Sequence, residues 1–294
     1  MTTEKYIPDF WKPESESLVE CYPKALEELS MPFPSVKLNL FSKLSTMTGG
    51  LRPYEFSILC GATGCGKTTL CANLSCDLLL QKVPQFIASV ETGHTDYVKR
   101  MISAFSGEDW NAGDQVNADR LHEFNKGFGE MFTKSGSHLS LYDNRTSIEN
   151  LMADMAYMVS NHGVKVAFID NLNFFLEITT AQNAIVEMDR VIHELIIFCK
   201  QVPIHVVMVM HPKKTDGGRV ESEFDIKGSS TAVQEAHNVF LFNRAHPDLI
   251  KTGVAGLNDR EIMIAKMRRR GRFVRRRLMI GCQNGSKYFE GDVL

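Results

Sequence analysis

Eight consecutive residues, Gly61-Ala62-Thr63-Gly64-Cys65-Gly66-Lys67-Thr68, stand between an apolar run, Phe56-Ser57-Ile58-Leu59-Cys60, and a helical pattern that begins at Thr69. The spacing G-x-x-x-x-G-K-T is that of a phosphate-binding loop. Glycines let the backbone fold around an anion, so that its N–H groups and the N-terminus of the following helix face the oxygens. Lys67 is then placed to reach the β and γ phosphates and the Thr68 hydroxyl to hold Mg²⁺. The expected cofactors are ATP or another nucleoside triphosphate, with Mg²⁺. Gly61, Ala62, Thr63, Gly64, Cys65, Gly66, Lys67, Thr68 and Thr69 are the candidate contacts.

Three further groups fall where such chemistry needs them. In open parallel sheets the working residues gather at the carboxyl ends of the strands. Here apolar runs end at Glu91, Asp170 and His211. Asp170, after Val166 to Ile169, suits the second metal ligand of a phosphate-loop enzyme. Glu91 suits the orientation and polarisation of an attacking water, because phosphoryl transfer asks a protein mainly for positioning and charge stabilisation. His211 suits a sensor of the γ-phosphate that relays its loss to the loop behind it. The competing explanations are a turn-capping aspartate, a solvated glutamate and an ordinary core histidine.

To bring these groups to one edge, apolar strands must alternate with helices. From residue 55 onward they do, which implies an α/β fold with a mostly parallel sheet flanked by helices. Strands are expected over Gln85 to Val90, His138 to Tyr142, Val164 to Ile169 and Ile204 to Met210. Helices are expected from the phosphate loop to Lys82, and near Tyr97 to Phe105, Ala118 to Phe132, Ile148 to Asn161 and Ala184 to Gln201. After His211 comes a polar loop, Pro212 to Ser230, then a short helix. Three strands that read as antiparallel follow, Val239 to Asn243, Glu261 to Met267 and Val274 to Ile280. Residues 1–40 read as an arm or linker, broken by Pro8, Pro13, Pro23, Pro32 and Pro34. Its one short helix places Pro23 at the first helical position, with Leu26 and Leu29 on one face. It serves either as an arm for a neighbouring subunit or as a leader on its own domain. Residues 41–294 form the catalytic domain.

Composition agrees with a globular, intracellular protein. The chain has 294 residues, 44% hydrophobic and 23% charged. It contains no apolar run of the roughly 18 residues a membrane span requires, and Met1-Thr2-Thr3-Glu4-Lys5 is not a signal peptide. Seven cysteines, none in a C-x-x-C pair, fit a reducing compartment rather than a disulfide framework or a zinc module. Residues 260–294 carry ten Lys or Arg against three acidic residues. Such a cluster suits contact with phosphates, and a solvated hairpin face explains it equally well.

Taken together, Gly61 to Thr68, Glu91, Asp170, His211, Gln234-Glu235-Ala236-His237-Asn238-Val239 and Lys266-Met267-Arg268 resemble the RecA-like motor domain of the DnaB family of ring-shaped replicative helicases. The phage primase-helicases and the mitochondrial Twinkle helicase are the nearest branch, because their fourth motif carries histidine, as Met208-Val209-Met210-His211-Pro212 does here. The likeness runs from about Phe41 to Tyr288. It implies a RecA-like phosphate-loop NTPase core with antiparallel C-terminal strands, acting as an ATP-dependent helicase in DNA replication. The implied assembly is a homo-oligomer, a hexameric ring on single-stranded DNA, with active sites at subunit interfaces.

The resemblance also assigns roles. Arg268 is implied to be a finger reaching the neighbour's site, with Lys266 beside it, and Arg244 to stack on the nucleotide base. Lys213, Lys214, Arg219, Lys227, Gly228 and Ser229 are implied to contact DNA phosphates. The chain has no room for the primase domain of those relatives or for the helical N-terminal domain of bacterial DnaB. It therefore reads as a bare, phage- or plasmid-encoded motor that works with a separate primase or loader. A filament-forming RecA-like recombinase and a nucleotide switch that needs no nucleic acid remain alternatives with the same core.

Overall fold

The computed structural model describes residues 17–30, 34–108, 110, 118–140, 146–171, 181–213, 218–227, 230–268 and 275–294. The chain divides into residues 1–34 and 35–294. In the first unit, helix α1 spans Leu18–Ser30, so Pro23 lies inside it and not at its first position as the sequence suggested. The reason is a capping box upstream. Ser17 Oγ accepts from the Glu20 amide at 3.3 Å, and Glu20 Oε2 accepts from the Ser17 amide at 3.2 Å. That start outweighs the one hydrogen bond a proline removes near a helix end. Leu18, Tyr22 and Leu26, four residues apart, form an exposed apolar stripe on α1.

In the second unit the strands are β1 Glu55–Cys60, β2 Gln85–Ser89, β3 His138–Leu139, β4 Val166–Asp170, β5 His205–Met210, β6 Asn238–Arg244, β7 Arg260–Met267, β8 Arg276–Gln283 and β9 Lys287–Val293. The helices are α2 Ser42–Thr48, α3 Lys67–Leu80, α4 His94–Ser106, α5 Ala118–Thr133, α6 Ile148–His162, α7 Ala181–Gln201, α8 Ser230–Glu235 and α9 Pro247–Lys251. The strands form one sheet in the order β3-β2-β4-β5-β1-β6-β7-β8-β9. Pairing is parallel from β3 through β6 and antiparallel from β6 through β9.

Strands β1, β2, β4 and β5 are buried along their whole length. That is the pattern of parallel strands covered on both faces. Phe56, Ile58, Ala88, Ile169 and Met208 pack with Leu151, Met155, Val191 and Leu195 of α6 and α7 on one face. Leu59, Ile87, Phe168 and Val209 pack with Leu70, Leu74, Leu78 and Tyr97 of α3 and α4 on the other.

The last strands pair antiparallel as expected, β6 with β7 and β7 with β8. On its other side β6 runs parallel to β1, from Ser57 opposite Asn238 to Cys60 opposite Leu241. Its run of Val239, Phe240, Leu241 and Phe242 is buried on both faces, as an interior strand requires. Strand β9 was not anticipated, because all its residues but Tyr288 are partly buried or exposed and it shows no apolar run. The signal was the Asn284-Gly285 pair, both at positive φ (49° and 71°), which turns β8 back into β9. Among the described residues after His211, Pro212 bridges Ile226 and a capped 3-10 turn covers Glu223–Asp225. The strand expected to reach Tyr142 is described only as far as Leu139, since residues 141–145 lie outside the described set.

Distant carboxylates hold the segment leading to β1. Asp77, fully buried in α3, accepts the amides of Asn39, Leu40 and Phe41 at 3.0, 2.8 and 3.4 Å. Helix α2 has no side-chain cap at its N-terminus, and Glu290 of β9 accepts from the Lys43 and Leu44 amides at 2.8 and 2.6 Å.

Candidate nucleotide site and its neighbours

Strands β2, β4, β5 and β1 are consecutive in the sheet, so the residues leaving their carboxyl ends meet. After β1, residues 61–66 form the loop and α3 begins at Lys67, two residues before the helical pattern in the sequence suggested. Lys67 is buried, and its Nζ donates to the Gly61 and Ala62 carbonyls at 2.7 and 3.0 Å, so the loop curls around the ammonium. Thr68 Oγ1 donates to Asp170 Oδ2 at 2.5 Å. Two hard oxygens, one from a hydroxyl and one from a carboxylate, suit Mg²⁺ with water and phosphate completing its shell. Burial raises the Asp170 carboxyl above its ordinary range, against the pull of the Thr68 hydroxyl. The nearby Glu91 raises it further, while Lys67 and Arg100 lower it.

Glu91 is exposed at the end of β2, and His211 half-buried at the end of β5. Burial, with the charges of Lys67 and Lys227, holds the His211 ring below the usual histidine range, while Glu91 opposes the shift. Between them sits Asn171. Its amide nitrogen donates to Glu91 Oε2 and lies 3.3 Å from His211 Nε2. Asn171 was not identified from the sequence. Its only signal was its place directly after Asp170, on the strand between the other two.

The antiparallel half of the sheet supports the loop from below. Arg260 Nε donates to the Cys65 carbonyl at 2.7 Å. Asn73 of α3 donates to the Ser286 carbonyl and accepts the Tyr288 amide, both at 2.8 Å, which seats Tyr288 under Gly66. Gly61 has its own constraint, since a β-carbon there would stand 2.3 Å from the Phe242 carbonyl oxygen. Burial pushes the Cys65 thiol up. Thr63 and Gly64 face solvent, and Thr69 offers its carbonyl to Asn73 at 2.8 Å.

A family model described as the DnaB-like helicase C terminal domain matches residues 38–283. The chain belongs to that family. Two solved structures share the fold. One is a DnaB-like replicative helicase, described with its interactions with primase, at a TM-score of 0.76 and 16% identity, over 95% of this chain and 68% of that one. The other is described as an ATPase domain, at a TM-score of 0.70 and 17% identity, over 95% of this chain and all of that one. The resemblance drawn from the motifs and the RecA-like fold it implied both stand.

In this DnaB-like domain, the remaining expected residues occupy three places. Arg244 ends β6, exposed, with Nη2 3.4 Å from the Gly64 carbonyl, on the rim of the phosphate loop. Lys266 and Arg268 are elsewhere. Strand β7 runs antiparallel to β6, with Arg260 opposite Arg244 at the loop end and Met267 opposite Asn238 at the far end. Arg268, exposed one residue beyond, is thus a strand length of about 20 Å from its own phosphate loop. Lys266 Nζ donates to the carbonyls of Val233, at 2.9 Å, and Gln234. Burial, with Arg268 nearby, brings its ammonium down to about 8, while Glu223 opposes.

Among the expected DNA contacts, Lys213 and Lys227 are exposed, Lys213 donating to the Phe224 carbonyl at 3.0 Å. Arg219 has a different setting. It donates to Glu261 and to the Arg244 carbonyl at 2.6 Å, and pairs with Glu221 at 2.8 Å. Lys214, Gly228 and Ser229 lie outside the described residues.

Proposed function

We propose that this domain hydrolyses ATP to move along single-stranded DNA as a homo-oligomeric, hexameric ring, each active site completed by Arg268 of the neighbouring subunit. The position of Arg268 carries the reading: its own strand places it at the opposite end of the sheet from Lys67, so it can serve a phosphate only in another copy. The exposed apolar stripe of α1, Leu18, Tyr22 and Leu26, gives a second copy something to hold.

In this reading the loop from Gly61 to Gly66 cradles the phosphates, and Lys67 turns from the loop carbonyls to the β and γ oxygens. Thr68 and Asp170 hold Mg²⁺, whose charge offsets that of the phosphates. Glu91 orients the attacking water, and Arg244 lines the base. Lys213 and Lys227 touch the DNA backbone, so binding weakens as salt rises. A separate primase or loader is the expected partner.

The test is turnover with and without single-stranded DNA at matched protein concentration. It compares the wild type, Lys67→Ala, Arg268→Ala and a mixture of the two variants. DNA should stimulate the wild type, Arg268→Ala should lose at least about 100-fold, and the mixture should recover part of the activity. Full activity in Arg268→Ala would end the shared-site reading. Strand pairing without directional unwinding would point to a recombinase, and indifference to DNA to a switch.

A further inference from the structure

Glu91, Asn171 and His211 leave the ends of three strands that are neighbours in the sheet, β2, β4 and β5, with Asn171 on the middle one. Asn171 is 3% exposed. A buried amide must spend its hydrogen-bonding groups on protein partners, and this one has its nitrogen on two groups of the nucleotide site. An amide nitrogen carries two hydrogens. Serving both partners requires His211 Nε2 to accept, which leaves the ring hydrogen on Nδ1.

The main chain of His211 is tied to the loop behind it. Its carbonyl accepts the Lys227 amide at 3.1 Å, Pro212 bridges Ile226, and the Lys213 amide donates to the Asp225 carbonyl at 2.7 Å. The outgoing and returning arms of the 212–227 loop therefore close on one residue, whose side chain contacts Asn171.

We propose that Asn171 is a positioning residue that ties the Glu91 carboxylate to His211, so that movement of the loop reaches the group that orients the attacking water. This rests on the hydrolase reading above. Asn171 takes no proton and touches no phosphate in this role; it occupies one Glu91 oxygen and fixes that side chain's rotamer. A shift of His211 with the loop removes one of the amide's partners, and the amide turns with the carboxylate it holds. Displacement of a catalytic group by about 1 Å changes a rate on the order of 100-fold.

The test measures turnover of the full chain with and without poly(dT), for the wild type, Asn171→Ala, Asn171→Asp and His211→Ala, and for Asn171→Ala with His211→Ala. Asn171→Asp keeps the volume and removes both donors, so it separates coupling from packing. Both Asn171 variants should cut the ratio of DNA-stimulated to basal turnover at least about fivefold, with the nucleotide KM within about twofold of wild type. Without DNA, the effects of Asn171→Ala and His211→Ala on kcat should be less than additive. An unchanged ratio in Asn171→Asp, or additive effects, overturns the coupling. A wild type that hydrolyses no nucleotide overturns the hydrolase reading itself. A wild type indifferent to DNA but with non-additive variants keeps the Asn171 link and removes only the DNA half of the motor.

Discussion

The hydroxyl of Tyr288 stands 2.2 Å from the point where a β-carbon on Gly66 would lie. Gly66 also sits at φ +100°, a region that residues with side chains rarely adopt. The phosphate loop is thus shaped from outside as well as by its own glycines. A trans peptide points its C=O and N–H in opposite directions, so Arg260, by holding the Cys65 carbonyl outward, aims the Gly66 N–H inward. Arg260→Ala is expected to weaken binding of a fluorescent ADP analogue about tenfold, the worth of one hydrogen bond to a charged group. Unchanged affinity would show that the loop keeps its shape unaided.

Arg219 and Glu261 make a separate prediction. Their side chains are 17% and 2% exposed, and the other arginine near Glu261, Arg277, is 3.9 Å away. Removing Arg219 strands a buried carboxylate, so Arg219→Ala should lose about 3 kcal/mol of stability in urea unfolding. Arg219→Ala combined with Glu261→Leu should recover part of that loss. If Arg219→Ala unfolds like wild type and loses only DNA affinity, phosphate is its working partner.

His205 predicts an acid limit on stability. Its ring is fully buried, with Nε2 2.9 Å from Ser57 Oγ and Nδ1 2.8 Å from the Arg52 carbonyl. Burial lowers it to about 4; the Arg52 carbonyl opposes, and the charges of His237 and Arg52 add to the fall. The folded form is neutral while the unfolded chain takes a proton near pH 6.5, so stability should decline as pH drops from about 6.5 to 4, by up to about 3 kcal/mol. His205→Gln, which cannot titrate, should flatten that part of the curve. A variant with the wild-type slope would assign it to other groups.

Asp77 should prove structural despite its place in the phosphate-loop helix. Asp77→Ala leaves three backbone amides without their acceptor, and a loss of about 3 kcal/mol is expected. Asp77→Asn, which keeps one acceptor oxygen, should lose less. Hydrogen exchange at Asn39, Leu40 and Phe41 reads this directly, and unchanged protection there would rule out the tether.

Motifs with local causes were legible in the chain. The phosphate loop, its helix and the strand-end residues Glu91, Asp170 and His211 could be found because glycine spacing and apolar runs record them within a few residues. The antiparallel pairing of β6, β7 and β8 agrees with the sequence, but the parallel pairing of β6 with β1 could not be read there, since a short apolar strand looks the same whichever way its neighbour runs. Strand β9 was missed because an edge strand needs no apolar run, although Asn284-Gly285 marked its turn.

The sequence by itself determined that this chain carries a phosphate-loop motif on a parallel sheet and belongs with the DnaB-like helicase domains, because those properties follow from contiguous residues and their periodicity. Only the tertiary structure decided that Asn171 joins Glu91 to His211, that Arg260 and Tyr288 hold the phosphate loop, and that Arg268 lies at the far end of β7 from its own phosphate loop. Each of those depends on which strands are neighbours and in which direction they run. Strand order joins residues far apart in the chain, and no local spacing encodes it.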